Sequence, residues 1–277
     1  FHVQGFGQAL LPFIFPFIDS KIISTVHDPT PHKGDKMSKG DKLTAFLGYP
    51  FSDYFLVHGH NLKEQVNEIY NVSSQRISVV PLPAYFGKRS KVSVKDLKTN
   101  SVLFFGRIWK YKGLKYLIKA EPKIRKKIKN FKIIIAGEGE DFEQYNNLIE
   151  NNKSFDIRNY RIPEEEMYTL FSNCSIVVLP YIEATQSGII PYAFQHGKPV
   201  IASDVGSISD LVENDKNGIL LPPRDTEALA DAIVSLLLDK KRLRFYSRNA
   251  QRKYKSELSS TKCVFETFKA YKKSIKV

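Results

Sequence analysis

Short runs of unbroken apolar residues, each closed by glycine, proline or a polar cluster, recur along the chain. "KIISTVHD" (21–28), "DYFLVHG" (53–59) and "RISVVPLP" (76–83) read as strands in the first third. "SVLFFG" (101–106), "FKIIIAG" (131–137), "SIVVLP" (175–180), "KPVIAS" (198–203) and "NGILLPP" (217–223) repeat the pattern further on. Apolar runs without alternation indicate strands buried on both faces. Between them the spacing changes to the helical period. Helices are predicted over "NLKEQVNEIY" (61–70), from Leu114 to Ile128, over "EEEMYTLFSN" (164–173), after Ser187-Gly188, from Ala228 to Leu237, and over about Thr261–Ile275. Pro122 should kink the second of these, and Asp225 is placed to cap the fifth. Segment 84–101 is polar, basic and without period, and reads as a linker.

Strands alternating with helices predict an α/β fold with parallel sheets covered on both faces. In such sheets ligands bind at the carboxyl ends of the strands. Each unusual polar group here follows a strand: His27-Asp28, Gly106-Arg107, Gly137-Glu138-Gly139, and Glu183 to Gly188. That coincidence argues for one shared site.

Composition narrows the class. A length of 277 residues allows one large or two ordinary domains, and an apolar fraction of 42% supports a substantial core. Cys174 and Cys263 are far apart and lack metal-ligand spacing, which argues against a disulfide framework and fits a reducing cytoplasm. His58 and His60 complete no ligand set, so no metal is expected. The net charge of +13 favours an anionic partner, set against a plainly lysine-rich surface. The run "ALLPFIFPFI" (9–18) is too short to span a bilayer and is broken by Pro12 and Pro16. A buried helix or loop is its ordinary reading. Phe13, Phe15 and Phe17, with the lysine excess, also suggest peripheral contact between the first domain and an anionic membrane. No nucleic-acid recognition motif is present, and the basic residues are scattered along helices, so nucleic acid is not expected as a partner.

The candidate chemistry is that of anion and hydroxyl recognition. Arg107 and Lys112 stand between a strand and a helix start, where a diphosphate would be bound; isolated, such cations are more often solvated. "TQSGII" (185–190) opens a helix with a hydroxyl and free amides, suited to phosphate oxygens, or simply to capping by Thr185 or Ser187. Glu183 suits sugar or ribose hydroxyls as a hydrogen-bond acceptor. His27 reads as a general base or a structural histidine. "GEGED" (137–141) is not a dinucleotide fingerprint, and no Walker loop or nucleophile elbow appears.

"GR-x4-KG" from Gly106 to Gly113, "IIIAGEGED", "NCSIVVLPY", "GKPVIASDVGS" and "NGILLPPRDTEALADAI", in this order, resemble the retaining glycosyltransferases of family 4 (glycosyltransferase group 1). The match is close over about 101–250 and loose over 20–83. It implies the glycosyltransferase B fold, two Rossmann-like domains facing across a cleft. Here these would be residues 1–90 as an incomplete, N-terminally truncated acceptor-side domain, 91–260 as the nucleotide-sugar domain, and 261–277 as a helix crossing back. The implied activity moves a sugar from a nucleotide-sugar donor to a glycan, lipid-linked sugar or polysaccharide precursor, with retention and without a cofactor, in the cytoplasm. The resemblance assigns Arg107 and Lys112 to the donor diphosphate. It also sets Gly137, Glu138, Ser187 and Gly188 at the donor, Glu183 at the transferred sugar and His27 near it.

The sequence departs from the family's paired-glutamate motif. Counting back from Gly197-Lys198-Pro199, Tyr192 stands where the second glutamate is expected and Ala184 where the first is, one residue after Glu183. Ser187 replaces the usual glycine. Tyr192 then reads as core or as a substitute ribose contact. A non-catalytic partner subunit is the alternative from another class, because a fold does not carry activity. A basic nucleic-acid-binding protein is a weaker one. An epimerase would need carboxylates facing the sugar ring and a phosphorylase a cofactor lysine motif; neither is seen.

Overall fold

The computed structural model describes residues 1–4, 19–29, 49–84, 100–139 and 142–277. The apolar run 9–18 with Phe13, Phe15 and Phe17, and most of the segment read as a linker, lie outside the described residues. The chain divides into two compact units, Phe1–Leu82 with Ser260–Val277, and Pro83–Ser259.

The first unit holds a parallel sheet of β1 (His2–Gln4), β2 (Ile23–Val26), β3 (Tyr54–Val57) and β4 (Ile77–Val79), in that order. Val26, Phe55, Val57 and Ile77 face α1 (His60–Tyr70) through Leu62 and Val66. Ile23, Tyr54 and Leu56 face the opposite side, where Ala270 of α8 (Ser260–Ser274) covers them. Successive strand residues point to opposite faces, and both faces are apolar, as the unbroken runs require.

The second unit has six parallel strands: β5 (Asn100–Phe105), β6 (Phe131–Ala136), β7 (Phe155–Arg158), β8 (Ile176–Leu179), β9 (Val200–Ser203) and β10 (Gly218–Leu221). Their spatial order is β10-β9-β8-β5-β6-β7, so the order reverses between β8 and β5. One face packs Val102, Phe104, Ile133, Ile176 and Val178 against α2 (Leu114–Lys127) and α6 (Thr226–Leu238). The other packs Leu103, Val177, Leu179 and Val200 against α4 (Glu164–Asn173), α5 (Ile189–Gln195) and α7 (Lys240–Lys253). A short helix, α3 (Glu143–Asn146), precedes β7.

Most elements fall where the apolar spacing placed them. Helix α2 runs without a break through Pro122. Asp225 caps α6, its Oδ1 accepting from the Ala228 amide at 2.8 Å. Helix α7, α3, and strands β1 and β7 were not anticipated. In α7 only Leu243, Tyr246, Ser247, Asn249 and Ala250 are buried, two of them polar, so the apolar stripe is thin. Strand β7 is four residues at the sheet edge, with Asp156 and Arg158 paired on one side.

Candidate functional site

The carboxyl ends of β5, β6, β8 and β9 carry loops that are tied to one another through backbone. The Gly106 amide donates to the Ala136 carbonyl at 3.0 Å and the Ile108 amide to that of Glu138 at 2.9 Å. Gly137 lies so close that a Cβ would stand 2.1 Å from the Gly106 oxygen. The Ile182 amide donates to the Tyr111 carbonyl at 2.7 Å, which joins the loop after β8 to the turn before α2. Gly113, at φ 70°, closes that joint: a Cβ there would lie 1.8 Å from the Pro180 oxygen. The loop after β9 grips the same segment, because the Ser207 amide donates to the Thr185 carbonyl at 3.0 Å and Gly206 leaves no room for a Cβ against Ala184.

On this frame the sequence candidates take definite places. The Lys112 ammonium lies 4.0 Å from the centroid of the Tyr181 ring and 4.9 Å from that of Tyr111. The Tyr181 hydroxyl is 3.3 Å from Ser187 Oγ. Lys112, Tyr181 and Ser187 are therefore contiguous. Arg107 is exposed, its guanidinium stacked 3.9 Å over Trp109, whose ring meets Tyr111 edge-on at 6.0 Å. Cation–π contact holds each charge on an aromatic platform and leaves its N–H donors available. Neither cation pairs with a carboxylate of the described residues. Glu138 is exposed on the β6 loop, and Glu183 is half-buried on the β8 loop.

Helix α5 has seven residues, and its N-cap, Gly188, has no side chain with which to cap it. Ser187 is buried and accepts the Ile189 amide at 3.4 Å. Gln186 Oε1 and Ser207 Oγ are buried without a hydrogen-bond partner among the described residues. Such orphaned groups call for a water or a ligand.

The two remaining candidates are Tyr192 and His27. Tyr192 is in the core, 2% exposed, with its ring 4.7 Å from Phe171 and 4.6 Å from His196. Burial, then Glu164 and Tyr168, push its hydroxyl up to about 12. His27 belongs to the first unit, after β2. Val26 pairs with Val57, so His27 and His58 follow the ends of adjacent strands, with ring centroids 5.1 Å apart. Burial lowers the His27 pKa, partly offset by Asp28. Burial pulls His58 down to about 4, partly offset by its bond to Val80 and reinforced by His27 and His2. The Val80 carbonyl, 3.0 Å from Nδ1, can only accept, so Nδ1 carries the proton of the neutral ring.

The platforms Trp109, Tyr111 and Tyr181 were missed in the sequence. The signal available was the aromatic next to each basic residue or strand end, in "RIWKYK" and "LPY".

With this geometry established, the family follows from comparison. The model of the family described as "Glycosyl transferases group 1" matches residues 99–239, and the chain belongs to that family. An uncharacterized glycosyltransferase of Methanocaldococcus jannaschii (MJ1607) is 24% identical over 253 residues, covering 85% of this chain and 64% of that protein. The alpha-D-kanosaminyltransferase of Streptomyces kanamyceticus is 30% identical over 141 residues, 50% of this chain and 36% of that protein. The chain thus spans under two thirds of the length of these relatives. Among solved structures, a Staphylococcus aureus TarM mutant in complex with Fondaparinux, alpha-GlcNAc-glycerol and UDP matches with TM-score 0.80 and 17% identity, covering 98% of this chain and 55% of that one. Anabaena HepE in complex with UDP-glucose matches with TM-score 0.75 and 18% identity, covering 100% and 79%. At this identity the likeness shows the fold, the glycosyltransferase B fold of two Rossmann-like parts.

Proposed function

We propose that the chain is a retaining glycosyltransferase of family 4 that moves a sugar from a nucleotide-sugar donor to a glycan or lipid-linked acceptor. The observation that carries this reading is the contiguous set Lys112, Tyr181 and Ser187, with Arg107 beside it. Two cations that pair with no carboxylate among the described residues stand at the carboxyl ends of a parallel sheet, next to the point where strand order reverses. That is where such sheets bind phosphorylated ligands. The UDP and UDP-glucose named with the structural neighbours are ligands of this chemistry.

In this reading Lys112 and Arg107 hold the donor diphosphate, with Ser187, Gly188 and the Gly137–Glu138 loop around it. Glu183 accepts hydrogen bonds from hydroxyls of the transferred sugar. Tyr192 supports the site from the core rather than binding ribose. His27, in the acceptor-side unit, keeps a neutral imidazole for a hydrogen bond near the transferred sugar. Transfer breaks the bond from the anomeric carbon to the phosphate oxygen, which leaves with the electron pair. The acceptor hydroxyl forms the new bond on the same face, and its proton passes to the departing phosphate oxygen. No protein nucleophile is required. A lipid-linked acceptor would draw the protein to the inner face of a membrane as a peripheral enzyme.

A panel of nucleotide sugars and free nucleoside diphosphates, scored by thermal shift on the full chain, tests the reading. A ligand at a hundredfold its Kd should add about 2.7 kcal/mol of stability. Stabilisation by none of the panel, or equal stabilisation of wild type and Lys112→Gln, would overturn it.

A further inference from the structure

We propose that the outer face of α7 is a docking surface for an anionic lipid membrane. Helix α7 contains four arginines and three lysines and no carboxylate in its 14 residues. At 100° per residue, Lys241, Arg244, Phe245, Arg248 and Arg252 share one face, opposite the buried Leu243, Tyr246 and Ala250. All five are exposed, Phe245 by 53%, and Leu238 just before the helix by 59%.

The cations of α7 fall into two groups. Those on its flanks are tied to the protein: Arg242 pairs with Asp215, Lys253 with Glu213 at 3.0 Å and Glu257 at 2.7 Å, and Lys240 donates to Asn100 at 2.9 Å. Those on the outer face are not. Among the described residues no carboxylate pairs with Lys241, Arg244 or Arg248, and Arg252 donates only to Asn249 at 3.2 Å. Like charges four residues apart destabilise a helix, and Arg244, Arg248 and Arg252 make two such steps in succession. An external anionic surface offsets that repulsion.

The exposed Phe245 among the cations selects the kind of surface. A basic helix with an aromatic among its cations suits a headgroup interface, where the ring enters the acyl boundary and the arginines meet lipid phosphates. A nucleic acid duplex would use the cations and leave Phe245 in water, whereas a single strand, which can stack a base on that ring, is the competing occupant that the experiment tests. Buried Leu243, Tyr246 and Ala250 fix the helix, so the face is presented ready-formed. No described helix is long and apolar enough to cross a membrane, so the contact is peripheral. The inference deepens the reading of a lipid-linked acceptor, but binding is measured without transfer, so the two fail separately.

The experiment is co-sedimentation of the full chain with vesicles of neutral phosphatidylcholine, alone or mixed with anionic phosphatidylglycerol, at low and high salt. The wild type should partition onto anionic vesicles at low salt, be released by high salt, and ignore neutral ones. Arg244→Gln with Arg248→Gln should weaken partition about thirtyfold, from the contribution of two basic residues at an anionic leaflet. Phe245→Ser should weaken it further, with the melting temperature kept in each case. Lys126→Gln with Lys127→Gln, exposed on α2, should change partition less than about twofold, as an ordinary surface change does. Equal binding by wild type and the arginine double variant would overturn the proposal. So would a failure to bind anionic vesicles, and tight binding of a single-stranded RNA oligonucleotide lost in the same variants would then assign the face to nucleic acid.

Discussion

The Lys112 ammonium stands 4.0 Å over the ring of Tyr181, and the hydroxyl of that ring reaches Ser187 at 3.3 Å. One aromatic side chain thus couples the turn before α2 to the loop before α5. The positive charge is fixed in direction without being neutralised. A lysine steered by a carboxylate would reach the site already paired.

Lys112→Gln should therefore weaken binding of uridine diphosphate by about tenfold to a hundredfold, the range expected for one charge-assisted hydrogen bond. Arg107→Ala should act in the same direction. Stability should barely move, because neither cation holds an ion pair among the described residues. Calorimetric titration with parallel melting curves checks both. Unchanged affinity would remove these cations from the site.

The loop grip at Gly206 gives a second expectation. Gly206 has φ 57°, and a Cβ would lie 1.8 Å from the Ala184 oxygen. Gly206→Ala must displace the segment that carries Glu183 and Ser187. Gly197, at φ 62° after α5, is the control, since the nearest atom to its Cβ would be Ser247 Oγ at 3.3 Å. Gly197→Ala should cost about 1–2 kcal/mol of backbone strain and leave ligand binding intact. Gly206→Ala should lower the melting temperature more and abolish binding. Equal behaviour of the two variants would show that the grip does not shape the site.

These contacts explain how far the sequence could be read. Strands such as Ile133 to Ala136 were legible because both sheet faces are covered, which leaves an unbroken apolar run. The strand-end polar groups were legible for the same reason, since they interrupt such runs. Gly113 against Pro180 and Gly206 against Ala184 were not, because each joins loops more than twenty residues apart. Tyr192 was ambiguous in sequence, because a tyrosine in an apolar helix can pack or bind; in the fold its ring packs against Phe171 and His196. Helix α7 escaped because its outer face is cationic and two of its buried positions, Ser247 and Asn249, are polar.

The paired histidines set a pH dependence. An unfolded histidine titrates near 6.5, whereas His58 in the fold titrates at about 4. The unfolded chain therefore binds more protons between these values, and stability falls as pH drops from 6.5 towards 4. It is fully present above 6.5. The gap corresponds to about 3 kcal/mol as an upper figure, since His58 is not wholly shielded from water. His27 and His2, also lowered by burial, act in the same direction. Urea unfolding at pH 7 and pH 5 should show the loss, and His58→Asn, which keeps a donor for the Val80 carbonyl, should reduce it. The same loss in wild type and His58→Asn would contradict the assignment.

Glu183 stands after β8 on the segment fixed by Gly113 at one end and Gly206 at the other, so its carboxylate is carried on a constrained loop. If it accepts hydrogen bonds from the transferred sugar, Glu183→Gln keeps the size and removes the charge-assisted acceptor. Such a bond contributes roughly 1.5–3 kcal/mol, so turnover should fall by about one to two orders of magnitude. Because the interaction is placed at the reacting sugar, the loss should appear in kcat, whereas Lys112→Gln should act on donor binding. The melting temperature should hardly change, since Glu183 is half-buried at a loop and outside the packed core. Initial rates of transfer from a donor that stabilises the chain, measured for wild type, Glu183→Gln and Lys112→Gln, separate these effects. A Glu183→Gln rate within about twofold of wild type would match an ordinary surface change and exclude the carboxylate from the site. A lost rate with a large melting drop would make its role structural.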